Sequence, residues 1–325
     1  TNKKHMIIKS DSVGTEFKSI DDLKDLDVLD IDAIEVLDFE NLEDKYVQIK
    51  IIKSIDDLKD LDDLKDIDVL EELDLENIES IKSFFRVNEF DIIINCAAYT
   101  KVDEAEKNKK QANLINHLAV KELAKIAYHK NVKLIHISTD FVFNGLKKKP
   151  YTENDAKSPL NIYGETKLAG ELAVMSNMKS NSIIIRTSWV YSEFGSNFLK
   201  TILNLSKNNS NLNIISDQIG TPTYASDLAQ TILNIISNKQ FIESDKPSEI
   251  FHYSNNGETS WYEFAKEIIS IYGINCQVNP INTEAFPLPA KRPKYSILSK
   301  KKISQNYSIN IRHWKDALQD CMKNI

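Results

Sequence analysis

The sequence predicts an α/β protein built on a doubly wound parallel sheet, with a smaller C-terminal lobe. Three observations carry this expectation. Short apolar runs of the kind buried on both faces of a sheet recur at residues 91–95, 133–137, 182–186 and 212–215. Segments with helical spacing of apolar residues alternate with them at 78–85, 111–129, 163–175, 197–205, 225–237 and 261–272. At 325 residues and 42% hydrophobic content, the chain can bury one large core and a second, smaller one. Strand and helix in alternation give parallel strands covered by helices on both faces.

Taken in order, the first strand ends at Ile7 and Ile8, and residues 9–17 form the loop and helix start behind it. Residues 18–27 then recur word for word at 53–62, and 37–43 are echoed by 73–79. Two imperfect copies are too few to stack as a solenoid, which needs about three. A tandem duplication at about 18–85 within the first domain is the better reading. Its second copy leads directly into helix 78–85 and strand 91–95, so that copy is taken as in register with the fold. Helix 111–129 precedes strand 133–137, which runs into Ser138-Thr139-Asp140; helix 163–175 precedes strand 182–186. The alternation breaks after Trp189 and again from Phe251. This divides the chain into a domain at 1–190 and a mainly separate lobe at 191–325, with 212–237 returning to the first domain. Ser260 caps helix 261–272, and Glu263 three residues on completes a capping box.

The formal charge of -7 arises in the first 80 residues, where Asp and Glu crowd between leucines and isoleucines; the remainder is close to neutral or slightly basic. Nucleic acid is therefore not an expected partner. No apolar run approaches the ~18–20 residues needed to cross a bilayer, and the start lacks an apolar signal core, so no membrane association and a cytoplasmic location are expected. Cys96, Cys276 and Cys321 are too scattered for a disulfide framework or a metal site.

Tyr163 and Lys167 lie four residues apart, on one face of their helix. A bare Tyr-x-x-x-Lys pattern usually marks a solvated face, but here a hydroxyl at the end of strand 133–137 could meet the Tyr163 phenol over one carbonyl. The surrounding sequence is specific: Asn95-Cys96-Ala97-Ala98-Tyr99-Thr100, then 102–106, 138–145, 159–163, Arg186-Thr187-Ser188-Trp189-Val190-Tyr191, 217–223 and Arg292-Pro293. In order and spacing these resemble the extended short-chain dehydrogenase/reductases, over roughly residues 68–325.

The resemblance implies a Rossmann-like dinucleotide-binding domain at 1–190, a substrate lobe within 191–325, and NADPH- or NADH-dependent reduction of the 4-keto group of a dTDP-linked 6-deoxy sugar. Tyr163 would donate the proton to the carbonyl oxygen; its pKa, ordinarily about 10, has to fall for this, and the Lys167 charge one turn away lowers it. By resemblance Lys167 also holds the nicotinamide ribose, and the Thr139 hydroxyl bonds the carbonyl oxygen. Ala97, Ala98 and Tyr99 would line the cofactor at a strand's C-terminal end, Asp74 and Leu75 would approach its adenine side, and Asn116 would support the lysine through a water. Asp140, Phe141, Val142, Trp189 and Asn197 would join Thr139 in enclosing the nucleotide sugar. Lys147 to Lys149 and Lys291-Arg292 could face its diphosphate, or simply form exposed loops.

The N-terminus departs from the family pattern. Val13 and Gly14 match the last glycine of the phosphate loop, but the earlier glycines are absent and Asp11 would repel a phosphate. The ribose carboxylate is Asp30 or Asp32, or Asp66 or Asp68 in the second copy. A non-catalytic binding or regulatory subunit is therefore an alternative, as is chemistry on a different nucleotide sugar. No residues are assigned to a metal; Glu16 and Asp103 are acidic and near the relevant loops, and a magnesium-assisted homodimer is among the arrangements the resemblance allows.

Overall fold

The computed structural model describes residues 4–8, 48–52, 69–242 and 246–325. The strands are β1 (Lys4–Ile8), β2 (Gln48–Ile52), β3 (Val69–Glu72), β4 (Phe90–Asn95), β5 (Lys133–Thr139), β6 (Ser182–Thr187), β7 (Val190–Tyr191), β8 (Asn211–Ile215), β9 (Ile219–Gly220), β10 (Thr223–Tyr224), β11 (Glu249–His252), β12 (Thr259–Ser260) and β13 (Gln277–Ile281). The helices are α1 (Ile78–Val87), α2 (Val102–Ala105), α3 (Lys109–Asn113), α4 (Val120–Lys130), α5 (Ile162–Asn177), α6 (Phe198–Asn208), α7 (Ala225–Ile236), α8 (Lys239–Ile242), α9 (Trp261–Tyr272), α10 (Lys301–Tyr307) and α11 (Trp314–Met322).

Among the described residues, seven strands form one sheet in the order β11-β6-β5-β4-β1-β2-β3. Pairing is parallel from β11 through β1 and antiparallel for β1–β2 and β2–β3. Two antiparallel steps bring β3 back to the direction of β1, so the C-terminal ends of β3, β4 and β5 lie along one edge. Strand order reverses at β1, and the crevice beside its junction with β4 is where such sheets bind ligands.

Period-two alternation sorts β5. Leu134 packs with α1 and α4 side chains on one face, and Ile135 packs with α7 residues on the other. The α1 helix starts where the Asn77 side chain accepts the N–H groups of Glu79 and Ser80, and it buries Ile81, Phe84 and Phe85. Ser260 caps α9 by accepting Glu263 N–H, and Gly273 ends it at φ 74°. The helix read at 111–129 is interrupted by a π-helical stretch, Leu114–Ala119, between α3 and α4.

The strand read at 212–215 forms as β8, but it pairs with β13 outside the main sheet, because Leu212 and Ile214 pack with Phe264, Ile268 and Trp314 of the smaller lobe. Helix α7 does lie on the sheet, and β11 extends it beside β6. Among the described residues no helix is long and apolar enough to cross a membrane.

Candidate active site

The site is built where β4 and β5 end and α5 begins. Asn161 caps α5, its side chain accepting the Gly164 N–H at 2.8 Å. Tyr163 is therefore in the first turn, buried edge-on to Phe141 with ring centroids 5.5 Å apart. Lys167, one turn on, is buried too and donates from Nζ to the Ile137 carbonyl at 2.7 Å. Burial pulls its ammonium down to about 8, against the opposing pull of Glu171 and Cys96.

Thr139 is the last residue of β5 and buried; its hydroxyl donates to Asp140 Oδ1 at 3.1 Å and accepts the Phe141 N–H at 3.2 Å. That turn lies directly against α5. A Cβ on Gly164 would stand 2.4 Å from the Phe141 carbonyl oxygen, so only glycine permits the approach.

Beyond β4, Ala97 N–H bonds the Asn95 side chain, and Asn116 takes Tyr99 from both sides: its Oδ1 accepts Tyr99 N–H at 2.7 Å and its Nδ2 donates to Tyr99 O at 3.1 Å. Asn116 Nδ2 also donates to Thr166 Oγ1 on α5. This bond ties Asn116 to α5 at the residue before Lys167. The Tyr99 hydroxyl accepts from Asn108 Nδ2, and burial raises its pKa.

The fold thus brings Thr139, Asp140, Phe141, Tyr163, Lys167, Ala97, Ala98, Tyr99 and Asn116 to one end of the sheet. Other residues singled out in the sequence have structural contacts of their own. Val142 is fully buried in an apolar cluster with Phe143, Tyr151 and Leu298. Asn197 caps α6: its Oδ1 accepts Lys200 N–H while Nδ2 donates to Ser192 and Phe194 carbonyls. Asp74 and Leu75 follow β3 on the same sheet edge, but Leu75 is core and Asp74 Oδ1 accepts the Glu76 N–H. Trp189 is half-buried just past β6, two residues beyond Thr187, which is paired with Thr139. Val13, Gly14, Asp11, Glu16, Asp30, Asp32, Asp66 and Asp68, with both copies of the repeated decapeptide, lie outside the described residues.

Sequence reasoning missed two supports. Glu171, one turn past Lys167, accepts Ser138 Oγ at 2.6 Å and the Arg186 guanidinium at 2.8 and 2.6 Å, all buried. Arg186 also meets His252 Nε2, whose ring is pulled down to about 3, by burial first and the arginine next. A charged residue inside strand 182–186 was the available signal. Asp103 is locked by Arg292, at 3.1 and 2.5 Å, and by Ala290 N–H at 2.8 Å. This pair ties the loop before α10 to α2, and Ala290 packs with Tyr99, Phe141 and Tyr163. Among the described residues no cluster of His, Cys, Asp or Glu has metal-binding geometry.

Comparison with known proteins identifies the family and fold. The model of the family described as RmlD substrate binding domain matches residues 57–325. The chain is 41% identical over 231 residues to a dTDP-4-dehydrorhamnose reductase of Sinorhizobium fredii, covering 70% of this chain and 78% of that one. The solved dTDP-4-dehydrorhamnose reductase of Clostridium acetobutylicum superposes with a TM-score of 0.72 at 40% identity, over 77% of this chain and 86% of that one. That of Bacillus anthracis, in complex with NADP, gives 0.72 at 37% identity, over 78% and 87%.

Proposed function

The chain belongs to the RmlD substrate binding domain family, and on that premise we propose that it reduces the 4-keto group of dTDP-4-dehydro-6-deoxy-L-mannose to give dTDP-L-rhamnose, with NADPH as cofactor. One observation carries the assignment of roles: Tyr163 and Lys167 share one buried face of α5, pressed by Gly164 onto the turn that holds Thr139.

The described residues suit a nicotinamide dinucleotide. Small side chains at Ala97 and Ala98 follow β4 beside the reversal of strand order, and Lys167 has spent one of its three N–H donors on Ile137. When bound, the cofactor supplies hydride to C4. Tyr163 delivers the phenolic proton to the C4 oxygen, completing the alcohol and leaving a phenolate. The Lys167 ammonium stabilises that phenolate from one turn away, and burial strengthens the interaction by excluding water. The Thr139 hydroxyl turns its proton from Asp140 to the same oxygen, offsetting charge as it develops. The half-buried indole of Trp189 serves as a wall for the sugar nucleotide. Neither the geometry of the described residues nor the relatives named above favour a non-catalytic subunit.

The test is to titrate the protein with NADPH and with NADH, then add the dTDP-keto-sugar. Binding of NADPH followed by its oxidation is expected, and failure to bind either cofactor would sink the proposal. Tyr163→Phe should keep cofactor affinity while turnover falls ~100-fold or more.

A further inference from the structure

Trp189 has a backbone that a tryptophan rarely adopts. Its φ is 49°, in the left-handed region, where a bulky side chain is a genuine outlier and strained. Such a conformation persists only where the surroundings determine it. Here they do so from three sides.

The main chain is tied first. Thr223 N–H donates to Trp189 O at 3.0 Å, Thr223 Oγ1 donates to Ser188 O at 2.6 Å, and Ser188 Oγ donates to Thr221 O at 2.8 Å. The ring is fixed next. It stacks on Trp261, the first residue of α9, with centroids 3.5 Å apart and planes at 10°. Below it lies Gly220, where a Cβ would stand 2.4 Å from Cε2 and 2.8 Å from Nε1 of the indole. Gly220 does not have positive φ, so its missing side chain serves the ring alone. The segment is itself anchored, since Ile219 N–H donates to Lys294 O and Ser296 N–H donates to Ile219 O.

We infer that segment 217–223, through Gly220, Thr221 and Thr223, together with Trp261, is a positioning device that holds the Trp189 indole at the angle the sugar nucleotide requires. This rests on the reading of Trp189 as a substrate wall. The 217–223 motif thereby acquires a physical role in which none of its residues needs to touch substrate, and Gly220 and Trp261 act through Trp189.

Two stacked indoles couple their electronic transitions, so the pair carries its own circular-dichroism couplet. Trp189→Phe and Trp261→Phe should each abolish it and so identify it. Gly220→Ala keeps both indoles, and loss of the couplet there reports displacement of the ring without reference to activity. The same variant should raise the KM for the keto-sugar ~10-fold, with NADPH affinity unchanged and kcat altered less than ~3-fold. In a Trp189→Ala background Gly220→Ala should add nothing further, because it has no other route to the substrate. An intact couplet in Gly220→Ala, or an equal KM effect without Trp189, overturns the inference. Should Gly220→Ala fail to fold, Trp261→Phe carries the kinetic test, with KM raised about 3- to 10-fold, the range of a weakened aromatic pair, only when Trp189 is present; an unchanged KM overturns the inference. If Trp189→Ala alone leaves KM unchanged, the substrate wall and the device built on it both fail, while the reductase assignment is decided separately by Tyr163→Phe turnover.

Discussion

Substituting Gly164 by alanine sets two effects of known size against each other. Within a helix, glycine to alanine ordinarily stabilises by about 0.5–1 kcal/mol. Here the new Cβ would lie 2.4 Å from Phe141 O, 3.1 Å from Phe141 C and 3.0 Å from Pro159 Cβ. The nearest atom belongs to the backbone, so no rotamer change relieves the contact and α5 must back away by about 1 Å; such overpacking costs about 1–3 kcal/mol. Net stability should fall by no more than ~2.5 kcal/mol, and the protein should fold. The rate suffers more, because Tyr163 and Lys167 travel with α5 while Thr139 stays with β5. A misplacement of about 1 Å between reacting groups is worth ~100-fold in turnover. The assay is NADPH consumption with the keto-sugar, beside thermal denaturation and NADPH titration. A folded Gly164→Ala protein with turnover within ~3-fold of the parent would refute the claim that this glycine sets the separation of Tyr163 and Thr139.

Three further outcomes are expected. Asp103→Asn leaves the buried Arg292 guanidinium without its charge partner, and stability should fall by about 3–5 kcal/mol in urea denaturation; replacing both residues by apolar ones of similar volume should recover most of it. His252 is held down to about 3 from 6.5 and His136 well below 6.5, burial being the main cause for both. Below pH 6.5 the unfolded chain binds protons that the native rings refuse, so stability should drop as pH falls from 6.5 toward 3, by up to ~1.4 kcal/mol per pH unit per histidine. A flat melting temperature across that window would contradict the buried neutral rings. The Lys167 ammonium, held down to about 8 by burial, should give kcat/KM a limb that falls as pH rises through about 8. Its effect on stability has the opposite sign: between about 8 and 10.5 the unfolded chain binds the extra proton, so this group's contribution rises with pH.

Most of the sheet was legible because strands buried on both faces have to be short and apolar: 91–95, 133–137 and 182–186 reappear as β4, β5 and β6 with small shifts at their ends. The partner of 212–215 was not, since an apolar run signals burial without saying against what, and β8 finds β13 rather than the main sheet. β11 was missed because Glu249-Ile250-Phe251-His252 has no apolar run to mark it. In the site, the i, i+4 relation of Tyr163 and Lys167 could be read directly. The commitment of Asn197 to a helix cap and of Val142 to the core could not, because a cap or a core contact depends on which residues the fold brings near. The same holds for Asp103 and Arg292, a pair separated by 189 positions.

Helix α5 explains why the Tyr163 side of the site tolerates little movement. It meets the sheet at three successive levels: Gly164 abuts the turn after Thr139, Lys167 binds the Ile137 carbonyl, and Glu171 grips Ser138 and Arg186. A further close approach at Gly170, whose Cβ would lie 2.2 Å from Asn116 O, seats the helix on the π-helical stretch that fixes Tyr99. Rotating α5 by one residue would break every one of these contacts together, so the face carrying Tyr163 and Lys167 is determined by the whole set. The Glu171 to Arg186 pair contributes more than an anchor. Its carboxylate is the principal group favouring charge on Lys167 in a pocket that otherwise disfavours it, and replacing it with glutamine should lower the alkaline limb of kcat/KM below its value near 8. A limb that stays in place would mean that burial alone sets the lysine, and that Glu171 serves only to hold the helix.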